Sequence, residues 1–263
     1  MSKEFENIIY KKMEKVARII INRPEVKNAL DMKTRAELRE ALMDSEKDQN
    51  IRVIIITGAN GIFSSGADLR DFAELGHVEM REWLREYGIN TITEIIMKMS
   101  KPVIALVDGS CFGGGLEIAM ACDLIIATDR ARFGQLEIRV GLIPGGGGTQ
   151  RLPRLIGLHK AKEYIFTGNI IDAMEAEKIG LVNKVVSVDK LNNVVNEIIK
   201  RIVDKSPILI KLAKEAINAT IELPLSAGLA YERELFLYGW GTEDRVEGIK
   251  AFLEKRKPVY KGR

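Results

Sequence analysis

Apolar positions along the chain fall into short β-branched runs, set between longer stretches where apolar residues recur at helical spacing. Residues 16–21 (Val-Ala-Arg-Ile-Ile-Ile) have the length and composition of a strand, which Asn22-Arg23-Pro24 ends. Asp31 stands where it can cap a helix over about 32–48, with Leu38, Ala41 and Leu42 on one face. Residues 53–57 are nearly all apolar, which predicts a strand covered on both sides. A small-residue loop, 58–66, leads to a predicted helix over 69–99, where Trp83, Tyr87 and Thr91 fall four apart. Pro102 opens a third strand, Val103–Val107, which Asp108-Gly109 closes. Gly113-Gly114-Gly115 then runs into a good helix former over 116–121, followed by a strand over 124–127. A second glycine turn, 145–148, precedes a helix opened by Thr149, and 182–186 reads as the last strand.

Beyond about residue 190 the pattern becomes helical throughout, with stretches over 189–204, 206–220, 224–240 and 243–256. Pro207, Pro224 and Thr242 mark three of the starts. In the last stretch Thr242 caps the helix, Glu243 and Asp244 occupy its first turn, and Lys255-Arg256-Lys257 suit the negative end of its dipole before Pro258 stops it. The expected organisation is an α/β core over 1–200 that carries the active site and a helical region over 201–263.

Composition narrows the function. With 263 residues, 46% hydrophobic and 29% charged, the chain is an ordinary globular protein. Its 40 Lys and Arg against 37 Asp and Glu leave a formal charge of +3, so no nucleic-acid partner is expected. No apolar run approaches the roughly 18 residues of a membrane helix, and the opening Met1-Ser2-Lys3-Glu4-Phe5-Glu6 does not read as a secretory signal. Cys111 and Cys122 make neither a disulfide framework nor a CxxC site, and suit a reducing compartment; a cytoplasmic location is expected. Two histidines, His77 and His159, exclude a three-histidine zinc site, and no metal is expected.

Unusual chemistry concentrates in two stretches. In Gly109 through Glu117 a strand runs into three glycines and a helix start, whose first N–H groups have no internal acceptor and can stabilise developing negative charge on an oxygen. Phe133-Gly134-Gln135-Leu136-Glu137 places a second glutamate ahead of the 145–148 turn. Two carboxylates beside such a site can divide acid and base work if their environments push their pKa values apart. On spacing alone a blander reading also stands, since a dipole favours a first-turn glutamate and most glycine runs are only turns. Neither GxxxxGK[ST] nor a strand-to-helix GxGxxG occurs. Gly109-Ser110-Cys111-Phe112-Gly113 fits a nucleophile elbow with Cys111, followed in order by Asp123 or Asp129 and His159, although an elbow's partners usually lie much farther along the chain. Cys111 and Cys122 also read as small core residues, and His77 and His159 as solvated ones.

At these residues the sequence resembles the crotonase, or enoyl-CoA hydratase/isomerase, family. The matching pieces are Asn22-Arg23-Pro24 with Asn28-Ala29-Leu30, Phe63 through Leu69, Gly113 through Ala119, Phe133 through Glu137, Gly141 through Arg151, and Thr242 through Pro258. They cover about 15–260 in order. The resemblance implies a spiral of ββα units with a C-terminal helical region that assembles homotrimers, usually paired into hexamers. It implies an acyl-CoA thioester substrate in fatty acid metabolism such as β-oxidation, with no cofactor beyond the CoA that the substrate carries. The N–H groups of Ala67 and Gly114 would form the oxyanion hole. Glu117 would deprotonate water for attack at Cβ, and Glu137 would protonate Cα. Gly145 would offer an N–H near the water. Asp68, Leu69 and Arg70 would border the pantetheine arm, while Phe252 and Lys255 would reach a neighbouring subunit's CoA. Retention of both glutamates favours hydration of a trans-2-enoyl-CoA. The alternatives are an isomerase, a hydratase of branched, dienoyl or dicarboxylic acyl-CoA, and a non-catalytic RNA- or CoA-binding homologue. Gly61-Ile62 and Glu25 stand where some hydratases carry lysines, so phosphate contacts would fall to Lys27 or to Lys255–Lys257.

Overall fold

The computed structural model describes residues 4–263. Strands β1 (Ile8–Met13) and β2 (Val16–Ile21) form an antiparallel hairpin, followed by helix α1 (Met32–Lys47). Next come β3 (Val53–Gly58), β4 (Ile62–Ser64), α2 (His77–Tyr87) and α3 (Asn90–Lys98). The second unit is β5 (Val103–Val107), β6 (Ser110–Phe112) and α4 (Gly114–Ala121). The third is β7 (Leu124–Thr128) and β8 (Arg132–Gly134), with α5 (Gly148–Ile156) and α6 (Leu158–Thr167). After β9 (Ile171–Asp172), α7 (Ala173–Lys178) and β10 (Lys184–Val186), the chain is helical: α8 (Leu191–Val203), α9 (Pro207–Ala219), α10 (Leu225–Trp240) and α11 (Glu243–Leu253).

Each strand–strand–helix unit gives its first strand to a large sheet and its second to a small one. The six-stranded sheet runs β1-β2-β3-β5-β7-β10, the four-stranded one β4-β6-β8-β9. Only β1 in the large sheet and β9 in the small one are antiparallel to their neighbours. β3 shows why its sequence carries no alternation. Ile54 and Ile56 join the main core, while Val53 and Ile55 face the apolar side of α8 with Val195, Ile198 and Ile202. Both faces of the sheet are covered, as the unbroken apolar run requires.

Several elements depart from expectation for identifiable reasons. The stretch 69–99 is not one helix but a short turn at Leu69–Asp71 followed by α2 and α3. Gly88 leaves helical geometry at ψ 147° after donating to the Leu84 carbonyl, so Thr91 falls in a new helix rather than extending the Trp83–Tyr87 face. β1 was not anticipated because its edge position exposes Lys11, Lys12 and Met13, which blurs the apolar pattern. The short strands β4, β6, β8 and β9 are two or three residues long, below the reach of periodicity. Asp31 caps α1 through the Thr34 N–H at 2.7 Å, and Thr242 caps α11 through the Arg245 N–H at 3.2 Å. The last helix stops at Leu253, with Lys255 in left-handed geometry at φ 54°. A division at residue 200 falls inside α8, which packs on the large sheet.

Candidate active site

The small sheet builds the site. β4, β6 and β8 lie side by side and parallel, so the segments leaving their C-terminal ends converge. Those segments are Ser65-Gly66-Ala67, Gly113-Gly114 and Gln135-Leu136-Glu137. Leu30 pairs with the first of them, donating to the Gly66 carbonyl at 2.8 Å while its own carbonyl accepts from Asp68 at 3.2 Å. That pattern leaves the Ala67 N–H between two satisfied groups with no acceptor among the described residues. Gly113, at φ 49° and ψ −125°, is held to β8 by its N–H on the Gly134 carbonyl at 2.9 Å. A side chain there would be strained by the backbone and would meet Glu137 Oε1 at 3.2 Å. The turn at Gly113 starts α4 at Gly114, whose N–H is likewise without an acceptor among the described residues. A methyl on Gly114 would come within 3.7 Å of the Ala67 nitrogen, so the two free amides are neighbours.

Glu117 lies in the first turn of α4, 2% exposed. Its Oε1 accepts from the N–H groups of Gly146 at 2.7 Å and Gly148 at 2.8 Å. Burial raises its pKa, against those two amides and the charges of Arg151 and Arg35. Glu137 opens a single turn after β8 and is pushed up to about 7, chiefly by burial, with the Glu117 charge adding to the rise. Ala67, Gly114, Glu117, Glu137, Leu69 and Gly145 line one cavity of about 490 Å³. A larger cavity of about 800 Å³ lies toward α9, with Lys214 and Asp123 in its wall, but it holds neither glutamate. The smaller one carries the paired carboxylates and the free amides, the combination that polarises a carbonyl while protons move beside it.

The model of the enoyl-CoA hydratase/isomerase family matches residues 11–263. The chain belongs to the enoyl-CoA hydratase/isomerase family. It is 44% identical to the short-chain-enoyl-CoA hydratase of Clostridium acetobutylicum, covering 97% of each chain. To the crotonyl-CoA hydratase of Syntrophomonas wolfei it is 42% identical, over 96% of this chain and 97% of that one. The crystal structure of enoyl-CoA hydratase from Bacillus anthracis superposes with a TM-score of 0.92 at 41% identity, covering 98% of this chain and 100% of that one. The expected crotonase fold and the expected enoyl-CoA hydratase are both borne out.

Around this cavity the remaining residues sort by position. Asp68 is buried and clamped by Arg70, at 2.8 Å from Nε and 2.6 Å from Nη2, with Arg23 Nη1 at 3.5 Å. The Arg70 bond holds its carboxyl down at about 2. Arg70 is thus engaged within its own loop. Phe252 and Lys255 stand at the end of α11, outside the lining of the glutamate cavity, and Phe252 is 83% exposed. Cys111 sits in the core on β6, fully buried, and burial pushes its thiol well up. His159 is exposed on α6, so the nucleophile-elbow reading has neither a reactive thiol nor an imidazole beside it. His77 is also exposed, and no group of three or more metal-ligating side chains occurs among the described residues. No described helix is long and apolar enough to cross a membrane.

Sequence reasoning missed four residues that shape the site. Gly146 and Gly148 present their amides to Glu117, whereas the sequence singled out Gly145, which lines the cavity. Arg151 Nη1 donates to the Gly146 carbonyl at 3.0 Å and steadies that turn. Gln135 lies beside Glu137, and with its side-chain amide turned so that the nitrogen faces that carboxylate it can donate to both oxygens, at 3.0 and 3.2 Å. Its place in Phe133-Gly134-Gln135-Leu136-Glu137 was the available signal, but only the turn after β8 brings residues 135 and 137 to one side.

Proposed function

We propose that the chain adds water reversibly across the double bond of a trans-2-enoyl-CoA to give the 3-hydroxyacyl-CoA, using Glu117 and Glu137 as base and acid. What carries this reading is one cavity holding two unspent amides and two carboxylates whose burial raises their pKa values, one of them also held by backbone amides that favour its ionised form. The thioester oxygen would accept from the Ala67 and Gly114 N–H groups, which draws electron density from Cβ. Glu117, fixed through Oε1, has Oε2 left to accept a proton as the water oxygen bonds to Cβ. The electron pair of the double bond passes to the enolate, and protonated Glu137 gives its proton to Cα. Glu117 then holds a proton and Glu137 does not, and exchange with solvent resets both. A Glu137 pKa near 7 suits that work near neutrality. The chemistry asks for no cofactor beyond the CoA of the substrate.

In this reading Asp68, Leu69 and Arg70 border the pantetheine arm, and the Gly145 N–H approaches the water. Phe252 and Lys255 serve the CoA of an adjacent subunit in a homotrimer or a hexamer of paired trimers. Support for assembly comes from α10 and α11, which leave Leu225, Phe236, Leu237, Trp240, Phe252 and Leu253 at least half exposed. The deciding experiment follows the ultraviolet absorbance of crotonyl-CoA with the wild type, Glu117→Gln and Glu137→Gln. Rapid loss in the wild type with little or none in both variants is expected. An unchanged signal in the wild type across a panel of enoyl-CoA thioesters would overturn the reading.

A further inference from the structure

Arg151 stands behind the glycine turn, on the side away from the glutamate cavity. It lines the larger cavity of about 800 Å³, whereas Glu117 and Glu137 line the smaller one, and Gly146 belongs to the wall of both. The residue sits in the first turn of α5, where its backbone N–H donates to the Gly147 carbonyl at 2.8 Å. Its guanidinium curls back over the turn. Nη1 donates to the Gly146 carbonyl at 3.0 Å, and Nη2 to Met97 Sδ at 3.3 Å. A side chain on Gly147, already at φ 110°, would collide with Nη1, so the turn and the guanidinium fit only as a pair.

That placement opposes the helix. The N-terminal turn of α5 is the positive end of its dipole, which favours anions and disfavours a cation. The guanidinium is half-buried, and burial lowers its pKa, yet it forms no ion pair among the described residues. Two carboxylates reach it by charge, Glu117 from α4 and Glu94 from α3, and Glu94 is exposed beside Lys98. Glu117 is the buried one. Its Oε1 accepts from Gly146 and Gly148, the turn that Arg151 clamps from behind. The charged groups that face Glu117 are Arg151, Arg35 from α1 and Glu137 after β8. Arg35 spends Nε and Nη1 on the Leu30 and Tyr87 carbonyls. Of the two cations, only Arg151 is bonded to the turn that holds Glu117.

We propose that Arg151 is a positioning residue for Glu117: it fixes the Gly146–Gly148 turn whose amides hold the carboxylate, and its charge keeps that carboxylate ionised, without contact with substrate. The proposal rests on the hydratase reading for the role of Glu117, but its first test needs no turnover. The Glu117 carboxyl is titrated by carbon-13 NMR of glutamate-labelled protein, its signal identified by its loss in Glu117→Gln. In Arg151→Met, which keeps an unbranched stem and deletes the charge, Glu117 is expected to ionise about one pH unit higher. Arg151→Lys, which keeps the charge, stays near the wild type, and Arg151→Gln serves if Arg151→Met does not fold. In crotonyl-CoA hydration the acid limb of the kcat/KM profile moves up with Glu117, kcat falls about tenfold, and KM changes less than about threefold. Millimolar guanidinium, entering from the larger cavity, restores Arg151→Ala severalfold. A lower melting temperature in Arg151→Met with Glu117 and the acid limb both unmoved would overturn the proposal. Hydration by the wild type with Glu117 unmoved in the variant fells this proposal alone. The Glu117 shift without hydration of any enoyl-CoA by the wild type fells the hydratase reading alone.

Discussion

Glu117 and Glu137 are both buried carboxylates with raised pKa values, but their fixtures differ. Two backbone amides hold one oxygen of Glu117 and favour its ionised form, as a base requires. Glu137 is driven to about 7 by burial and by the Glu117 charge, which keeps its proton available. Glu117→Gln is expected to lower kcat/KM by about 10³ while butyryl-CoA affinity changes only severalfold. An affinity loss as large as the rate loss would move Glu117 from chemistry to binding. The same assignments fix the pH profile of kcat/KM for hydration. The rate climbs as Glu117 ionises and falls as pH passes about 7, where Glu137 gives up its proton. In Glu137→Gln the alkaline limb disappears with most of the activity; persistence of that limb would show that another group titrates.

At the scale of elements, the proposed catalytic groups depend on where helices and turns begin. Gly114 occupies the first position of α4, where a proline is compatible with the helix but has no N–H to give. Gly114→Pro is expected to cost about 10²-fold or more in turnover, with Ile89, 3.1 Å from an added Cβ, shifting slightly. Turnover at the wild-type rate would sink the oxyanion role. At the other end of the chain, Asp244 in the first turn of α11 is 1% exposed and ties three segments together. It accepts from Ser206 Oγ at 2.6 Å, Lys261 N–H at 2.7 Å and Gly262 N–H at 2.9 Å. Asp244→Ala leaves those donors unmet, and a loss of about 2–3 kcal/mol is expected in urea unfolding. A loss below 0.5 kcal/mol would mean that water replaces the carboxylate.

For the whole molecule, stability and assembly follow from groups the site or the surface leaves unsatisfied. Glu137 has a folded pKa above its unfolded value, so the folded state binds the extra proton. Its contribution is most favourable below about 4.5 and is lost as pH rises through about 7. Glu137→Gln is therefore expected to unfold at a higher temperature than the wild type at pH 8, by an amount worth about 2–3 kcal/mol. The difference should close toward pH 4.5; a constant gap would point to packing instead. The exposed apolar side chains of α10 suggest a subunit interface. Phe236→Asp, at a side chain 63% exposed whose ring centre lies 5.8 Å from that of Trp240, is expected to shift sedimentation to smaller species with unchanged helical content. An unaltered oligomer would remove α10 from the interface.

Local pattern was enough for whatever depends on neighbours in the chain. The central strands were legible because two covered faces leave unbroken β-branched runs, and the caps at Asp31 and Thr242 because a short side chain reaches its own helix. The paired glutamates and glycine turns were visible as residue types in order. What the sequence could not determine is proximity. β4, β6 and β8 are too short to carry a period, yet their parallel pairing brings Ala67, Gly114 and Glu137 together. Only that pairing decided which amides remain free, that Gly146 and Gly148 hold Glu117, and that burial raises both carboxyls. Arg35 makes the same point from α1, where helical spacing gives no sign that a buried cation would line the same cavity as the two glutamates. Desolvation and unmet donors arise from three-dimensional packing, so no reading along the chain contains them.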